Sequence, residues 1–152
     1  MLPVKRLEKD AVMPKRANPW DAGLDLHALE EVVVEPGEVK VVRTGIAIAI
    51  PRGFVGLIKD RSSRALKGLH ALAGVIDPGY RGEVKVVVTN LGSDKITIRK
   101  GERFAQLVIV PVAYLEPVEV EELPPNDGRS GGFGSTDEEL VRVARGERRG
   151  PP

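Results

Sequence analysis

Residues 74–84 read GVIDPGYRGEV and carry the clearest structural signal in the chain. An apolar, strand-like run ends at Asp77, a tight turn follows, and a second strand begins near Val84. Asp-Pro-Gly is a strong turn signal, because proline pre-sets φ and glycine tolerates positive φ. We therefore predict a β-hairpin whose tip holds one carboxylate, from Asp77, and one aromatic ring, from Tyr80. Such a pair suits a small planar ligand and a polarised water.

Short strand-like runs recur on both sides of this segment, about every ten residues, which is the spacing of all-β folds. They lie at residues 32–34, 39–50, 54–58, 84–88, 96–98 and 104–110. Ile46, Ile48 and Ile50 alternate with alanine, which places the three isoleucines on one face of a sheet. The pattern predicts a β-barrel or a jelly-roll-like sandwich. Residues 62–69 predict one short helix, and an acidic, then Pro- and Gly-rich stretch predicts an extended C-terminal arm.

The bulk composition excludes several classes of protein. The 152 residues fit one domain, and 41% hydrophobic with 30% charged residues is a soluble globular composition. A net charge of +1 gives no case for a stable nucleic-acid partner. The absence of cysteine excludes disulfides and thiolate catalysis. No apolar run approaches the roughly 20 residues of a membrane helix, so we expect no membrane association and a cytoplasmic location.

Several polar residues could build a phosphate site, and each has a structural alternative. Arg61, Ser62 and Ser63 precede the predicted helix, so they either bind phosphate oxygens or cap the helix. Gln106 lies within an apolar strand and either is satisfied internally or faces a ligand. Asp25 either contributes to a Mg²⁺ site or forms a turn before an ordinary strand.

Residues near the predicted hairpin and in the C-terminal arm also have both a functional and a structural interpretation. Asp77 is either a general base that orients a water or a turn-forming aspartate. Tyr80 either stacks on a base or sugar or packs on the rim of the hairpin. Residues 128–136, GRSGGFGST, are either a flexible linker or a loop that approaches phosphates and caps a base with Phe133.

The order of these segments resembles the five motifs of the trimeric dUTPases, the deoxyuridine triphosphate nucleotidohydrolases. The five segments are DAGLDL at 21–26, RSS at 61–63, GVIDPGYRGEV at 74–84, GERFAQL at 101–107 and GGFGST at 131–136. The resemblance implies a distorted jelly-roll subunit, a homotrimer with three shared active sites, and hydrolysis of dUTP to dUMP and pyrophosphate. Such a reaction keeps uracil out of DNA and supplies dUMP for thymidylate synthesis.

The resemblance also implies a division of the chain. Residues 1–125 would form the β-barrel, residues 126–136 a Gly-rich lid over a neighbouring subunit's site, and residues 137–152 a tail that is helical or disordered. Asp77 would hold the water that attacks the α-phosphorus, and Tyr80 would pack under the deoxyribose. Mg²⁺ would be bound mainly by the triphosphate, with Asp25 acting through water.

The remaining contacts with dUTP are implied in the same way. Backbone groups around Ala71, Val75 and Ile76 would read the uracil edge, with Lys85 near the same pocket. The phosphates would be held by Arg61, Ser62, Ser63 and Gln106. Phe133 and Gly134 would close over the uracil, with Ser135, Thr136 and Arg129 on the phosphate tail.

The chain departs from the family pattern at a few positions. Asp60 and Arg64 stand where a small or apolar residue is usual, and Arg129 lies one place closer to Phe133 than its counterpart. Two alternatives stay open. One is a dCTP deaminase-like or bifunctional enzyme, although Val87 stands where those enzymes carry a glutamate. The other is a non-catalytic nucleotide-binding trimer.

Overall fold

The computed structural model describes residues 1–128, 131–132, 137, 142 and 144–145. Within residues 1–128, eleven short β-strands and one helical turn make up the regular structure. The strands are β1 Val4–Arg6, β2 Gly23–His27, β3 Val32–Val34, β4 Val39–Arg43, β5 Ile46–Ile48, β6 Phe54–Asp60, β7 Leu69–Leu72, β8 Val75–Ile76, β9 Lys85–Asn90, β10 Ile96–Ile98 and β11 Arg103–Pro111. The helix, α1, spans Ser62–Ala65. The all-β prediction is confirmed.

The strands pair in antiparallel fashion to form two larger and two smaller sheets. The larger sheets have the strand orders β2-β11-β6-β8 and β4-β9-β7, and the smaller ones are the pairs β1-β5 and β10-β3. Met1–Leu115 forms one compact unit, and a second unit begins at Glu116. Residues 116–128 of the second unit are exposed and contain no strand or helix.

The core follows from side chains that alternate along the strands. In β2, Leu24 and Leu26 are buried, so the carboxylate of Asp25 points to the opposite face of the sheet. Ile46, Ile48 and Ile50 are each at most 2% exposed, which confirms that the three isoleucines face the core. The largest fully buried side chains are Phe104, Leu26, Ile46, Ile48, Ile50, Ile98, Leu107, Val34, Val42, Val84, Val86 and Val88.

The predicted β-hairpin around residues 74–84 is wrong in its strand pairing. Its first arm, β8, pairs with β6, whereas its second arm, β9, pairs with β4 and β7. Ala73 and Gly74 have φ values of 56° and 90°, and this left-handed step carries the chain from the sheet of β7 to the sheet of β6. The turn itself is present, because the Tyr80 N–H donates to the Asp77 carbonyl at 3.1 Å.

The run at residues 39–50, which the sequence predicts as a strand pair or a bent strand, is the pair β4 and β5. The two strands are separated at Gly45, whose φ is +70° and which has Leu29 and Ala11 packed where a Cβ would lie. One boundary differs from the sequence prediction. The helix is shorter than predicted, because Gly68 has a φ of +96° and β7 starts at Leu69.

Candidate active site

The residues predicted to hold phosphates line one open cavity of about 340 Å³, here called the phosphate-side cavity. Arg61, Ser62, Ser63 and Gln106 come from α1 and its flank and from β11, and Asp25 comes from β2. The remaining lining residues are Ala17, Asp21, Ala22 and Gly23. A guanidinium, two hydroxyls and a carboxamide thus converge on a space open to solvent, which is a suitable donor set for an anionic ligand.

Both serines of this cavity are exposed, and neither occupies the N-cap of α1. The N-cap position belongs to Arg61, which makes no side-chain capping hydrogen bond. The capping alternative for Ser62 and Ser63 therefore does not apply, and both residues line the cavity.

Asp25, in the cavity wall, forms ion pairs with two arginines. Its side chain is only 14% exposed, and its two oxygens face Arg61 Nε at 3.1 Å and Arg103 at 3.3 Å. Arg61 also reaches the Arg103 carbonyl at 3.5 Å. The ion pair with Asp25 and the bond to the Arg103 carbonyl together fix the direction of the Arg61 side chain. Sequence reasoning missed Arg103, which lies in the fourth motif segment but faces Asp25 only once β11 has paired with β2.

Gln106 is hydrogen-bonded internally and also lines the cavity. Its Nε2 donates to the Asp60 carbonyl at 2.7 Å, so the amide is held internally, and the residue also lines the cavity. Gly23, on the neighbouring strand, leaves the space that the Gln106 carboxamide occupies, because a Cβ there would overlap with its oxygen. The side chain is therefore fixed from two sides.

The Asp77–Tyr80 turn lies outside the lining of the phosphate-side cavity. Asp77 is exposed, and its carboxylate makes no hydrogen bond or ion pair with any of the described residues. The Tyr80 ring lies over Gly82, where a Cβ would approach the phenolic oxygen to 2.6 Å, and its hydroxyl donates to the Glu83 carbonyl at 2.8 Å. The turn thus presents one carboxylate with free acceptor oxygens beside a fixed aromatic ring.

A network of charges holds the segment that follows this turn. Glu83, whose side chain is 10% exposed, accepts from Arg43 at 2.8 Å, and Arg43 also pairs with Glu8 and Glu30. Hydrogen bonds to Glu83 and then to Glu8 raise the pKa of the Arg43 guanidinium above its usual value. Lys85, which is exposed, lies opposite Arg43 in the β4–β9 ladder.

The residues expected to read a base lie on β7 and β8. Val75 and Ile76 pair with Leu57 and Gly56 of β6, and the Ala71 N–H donates to the Asp60 carboxylate at 2.6 Å. Ala71 therefore cannot offer its N–H to a ligand in this arrangement. The sequence marked Asp60 only as a departure from the family pattern. In the structure its carboxylate accepts from Ala71 on the base side, and its backbone carbonyl accepts from Gln106 on the phosphate side.

Arg64, the other departure, also has a defined partner. It forms an ion pair with Glu102 in the turn before β11, and Glu102 also accepts the Arg99 N–H at 2.7 Å. Partial burial disfavours the Glu102 carboxylate, but the Arg99 N–H and the Arg64 guanidinium outweigh that effect and hold the pKa of Glu102 below its usual range.

Five predicted site residues fall outside the described residues, namely Arg129, Phe133, Gly134, Ser135 and Thr136. Within the described part of the chain, no group of three or more His, Cys, Asp or Glu side chains is arranged to hold a metal ion. In that same part, no helix has the length and apolar character required to cross a membrane.

Comparisons with known proteins agree on one family. Residues 9–137 match the family model described as dUTPase. The deoxyuridine 5'-triphosphate nucleotidohydrolase of Hydrogenobaculum sp. is 48% identical over 137 residues, which cover 88% of this chain and 95% of that protein. Two solved phage structures are also similar. The dUTPase of Staphylococcus bacteriophage 80alpha with dUPNHPP has a TM-score of 0.83 and 36% identity, covering 89% of this chain and 97% of that one.

The second structure is a variant dUTPase from phage phi11 of S. aureus, described as revealing the coordination of a structural Mg(II) ion. It has a TM-score of 0.76 and 34% identity, and the match covers 80% of this chain and 97% of that one.

Proposed function

Because this chain belongs to the dUTPase family, we propose that it hydrolyses dUTP to dUMP and pyrophosphate by attack of water on the α-phosphorus. The observation that carries the proposal is the phosphate-side cavity, where Arg61, Ser62, Ser63 and Gln106 converge as the family motifs require. Phosphoryl transfer needs positioning and charge neutralisation more than covalent chemistry, and this set of donors provides both.

Asp77 is the residue that we assign as the general base. Its exposed carboxylate retains both acceptor oxygens, so it can orient a water and take its proton during attack. Tyr80 lies beside it with its ring fixed over Gly82, which suits a flat surface for packing under deoxyribose. Contact of the ring with the sugar leaves no space for a 2'-hydroxyl and selects deoxyribonucleotides.

The base-reading contacts belong to the backbone between Ala71 and Asp77, with Lys85 close to the same pocket. Phe133 and Gly134 would then cover the base, and Arg129, Ser135 and Thr136 would contact the phosphate tail. Closure of such a lid excludes water and strengthens the electrostatic interactions inside the site. In this proposal residues 1–125 form the barrel, residues 126–136 the lid and residues 137–152 a separate tail.

Mg²⁺ fits this site as a companion of the triphosphate. The carboxylate of Asp25 lines the phosphate-side cavity, and carboxylate, water and phosphate oxygens are the ligands that Mg²⁺ prefers. Both oxygens of Asp25 already face arginines, which favours contact through water over direct ligation. When bound, the ion neutralises phosphate charge, while Arg61 orients the phosphates and Asp77 handles the proton.

A homotrimer with shared active sites completes the proposal. The phosphate-side cavity of one chain is not lined by Asp77, Tyr80 or Lys85. Two sets of residues that must meet on one dUTP molecule therefore occupy different places on the chain, and subunits arranged around a three-fold axis bring them together. The cytoplasmic location expected from the sequence stays a prediction.

The two alternative functions gain no support. The family match and the relatives are dUTPases. Val87, which stands where a deaminase would carry an acid/base glutamate, pairs with Val41 and Leu72 in an apolar part of the sheet. A valine cannot transfer protons, and the complete set of phosphate-side donors together with Asp77 favours catalysis over binding alone.

The test is release of pyrophosphate from dUTP, dCTP, dTTP and UTP in parallel with Mg²⁺, with ammonia assayed in the dCTP reaction. We expect release from dUTP alone. Ammonia from dCTP would assign the chain to the deaminases, and binding of nucleotide with no release from any of the four would identify a binding protein.

A further inference from the structure

The carboxylate of Asp60, at the end of β6, is held by two consecutive residues of β7. Its Oδ1 accepts the Ala71 N–H at 2.6 Å, and its Oδ2 lies 2.7 Å from His70 Nδ1. Here this arrangement is called the Asp60 clamp. β6 and β7 belong to different sheets, so the clamp joins the two larger sheets through one side chain.

The clamp satisfies an open strand edge. Within the described residues β7 pairs only with β9, so the N–H groups on its other edge have no ladder partner. Asp60 accepts one of them, from Ala71, and a charged acceptor makes this a stronger bond than a neutral one. Removing the acceptor would leave a part-buried N–H without a protein partner, which favours movement of the strand.

The clamp also fixes the start of the base-side segment, here defined as residues 71–77. The middle of that segment is attached to β6 by the bond from the Ile58 N–H to the Gly74 carbonyl, at 2.8 Å, and by the β6–β8 ladder. Between Ala71 and Gly74 lies Ala73 with a φ of 56°, a conformation that costs a non-glycine residue energy and needs support from both sides. Asp60 provides the support on the N-terminal side.

We propose that Asp60 is a positioning residue that sets selectivity for the nucleobase, because its carboxylate determines where the base-side segment presents its backbone groups. This inference rests on the proposed function. It gives a role in base selectivity to Asp60, a residue at a position where the family pattern has no aspartate.

The Asp60 carboxylate does not contact the residues of the phosphate-side cavity that bind Asp60 through its backbone. Gln106 donates to the backbone carbonyl of Asp60, not to its carboxylate. Substitution of the side chain therefore leaves the Gln106 contact available and disturbs only the base-side segment. Loss of binding contacts made equally in the ground and transition states raises KM and leaves kcat almost unchanged. A purely structural role would lower thermal stability with no change in the ratio of rates for different bases.

The experiment compares Asp60→Ala and Asp60→Asn with the unmodified protein, using kcat and KM for dUTP and for dTTP. For Asp60→Ala we expect KM for dUTP to rise about tenfold with kcat within about threefold, and the preference for dUTP over dTTP to fall by a similar factor. Asp60→Asn keeps an oxygen for the Ala71 N–H and is expected to recover most of both losses.

Asp10→Ala is the matched control, since it removes a carboxylate from an exposed ion pair with Lys100 at 2.8 Å and should alter neither quantity. Three results would each overturn the proposal. Asp60→Ala could leave both KM and the base preference unchanged, it could lower only kcat, or it could show the same losses as Asp60→Asn. If Asp60→Ala does not fold, Asp60→Glu replaces it, because the extra methylene displaces the oxygens while the charge is kept.

Hydrogen exchange at the Ala71 amide provides a readout that does not depend on turnover. We expect faster exchange in Asp60→Ala than in the unmodified protein or in Asp60→Asn. If the unmodified protein releases no pyrophosphate from dUTP, the proposed function fails, and the exchange rates alone then decide whether the clamp holds this segment. Equal exchange in all three proteins would show that it does not.

Discussion

In the proposed mechanism hydrolysis depends on Asp77, because its carboxylate is the part of the turn that takes a proton from water. Asp77→Asn preserves the shape of the turn, in which the Tyr80 N–H donates to the residue 77 carbonyl at 3.1 Å. We expect the variant to fold and to bind dUTP but to lose about 10²–10⁴-fold in kcat, the usual contribution of a general base. Steady-state kinetics with a parallel binding measurement checks this, and an unchanged kcat would remove Asp77 from the role.

Gly82 gives a second prediction at the scale of single residues. A Cβ at this position would approach the Tyr80 hydroxyl oxygen to 2.6 Å, so Gly82→Ala must displace the ring. We expect activity with dUTP to fall about tenfold or more, because small displacements of positioning groups are costly. Gly79→Ala is the control, since its Cβ has no neighbour within 4 Å and its φ is not left-handed. Similar losses in the two variants would contradict the role of the ring.

Single residues also show where sequence reasoning ends. The residue types at Asp25, Arg61 and Gln106 indicated phosphate chemistry, and the cavity brings them together. The partners Arg103 and Asp60 were not found, because an ion pair or a clamp between distant segments depends on which strands become neighbours. Alternation along one strand carries no information about the adjacent strand.

At the scale of elements, the short helix α1 is tied to the turn before β11 by the ion pair between Arg64 and Glu102. The pKa of Glu102 is held below its usual 4.5 in the folded state, so the folded protein prefers the ionised form. The resulting stability is present above the unfolded-state pKa and is lost as the pH falls through the lower folded-state pKa.

Glu102→Gln therefore destabilises the protein more at neutral pH than in acid. We expect the difference in melting temperature between the unmodified protein and this variant to shrink as the pH is lowered from about 7 to about 4. Thermal unfolding at several pH values checks the trend, with Glu31→Gln as an exposed glutamate for comparison. A difference independent of pH would show that the ion pair contributes nothing to stability.

Elements also differ in how far the sequence predicts them. The strands β3, β10 and β11 lie where short apolar runs bounded by turn residues placed them, because such runs are a local property of the sequence. The pairing around residues 74–84 was not predicted, since Asp-Pro-Gly specifies a turn and not which strands its arms join. β1 and β7 were missed as well, being short and, in the case of β7, preceded by a helical turn.

At the scale of the whole molecule, the proposed homotrimer predicts shared sites, since Asp77 does not line the phosphate-side cavity of its own chain. A chain carrying Asp77→Asn and a chain carrying Arg61→Ala should each be nearly inactive alone. In every mixed trimer, an intact Arg61 from one subunit meets an intact Asp77 from its neighbour at about one site in three, and because about three quarters of the trimers in a random 1:1 mixture are mixed, about one site in four is intact overall.

We therefore expect co-expression of the two variants to restore about a quarter of the activity of the unmodified trimer, by the same statistics. Sedimentation would confirm the mass of three chains, and separately purified variants mixed without exchange of subunits serve as the control. If each site belonged to a single chain, no combination of the two variants would contain an intact site, and the mixed trimers would stay inactive. Complementation thus distinguishes a shared site from a self-contained one, since both arrangements use the same residues and differ only in which chain supplies them.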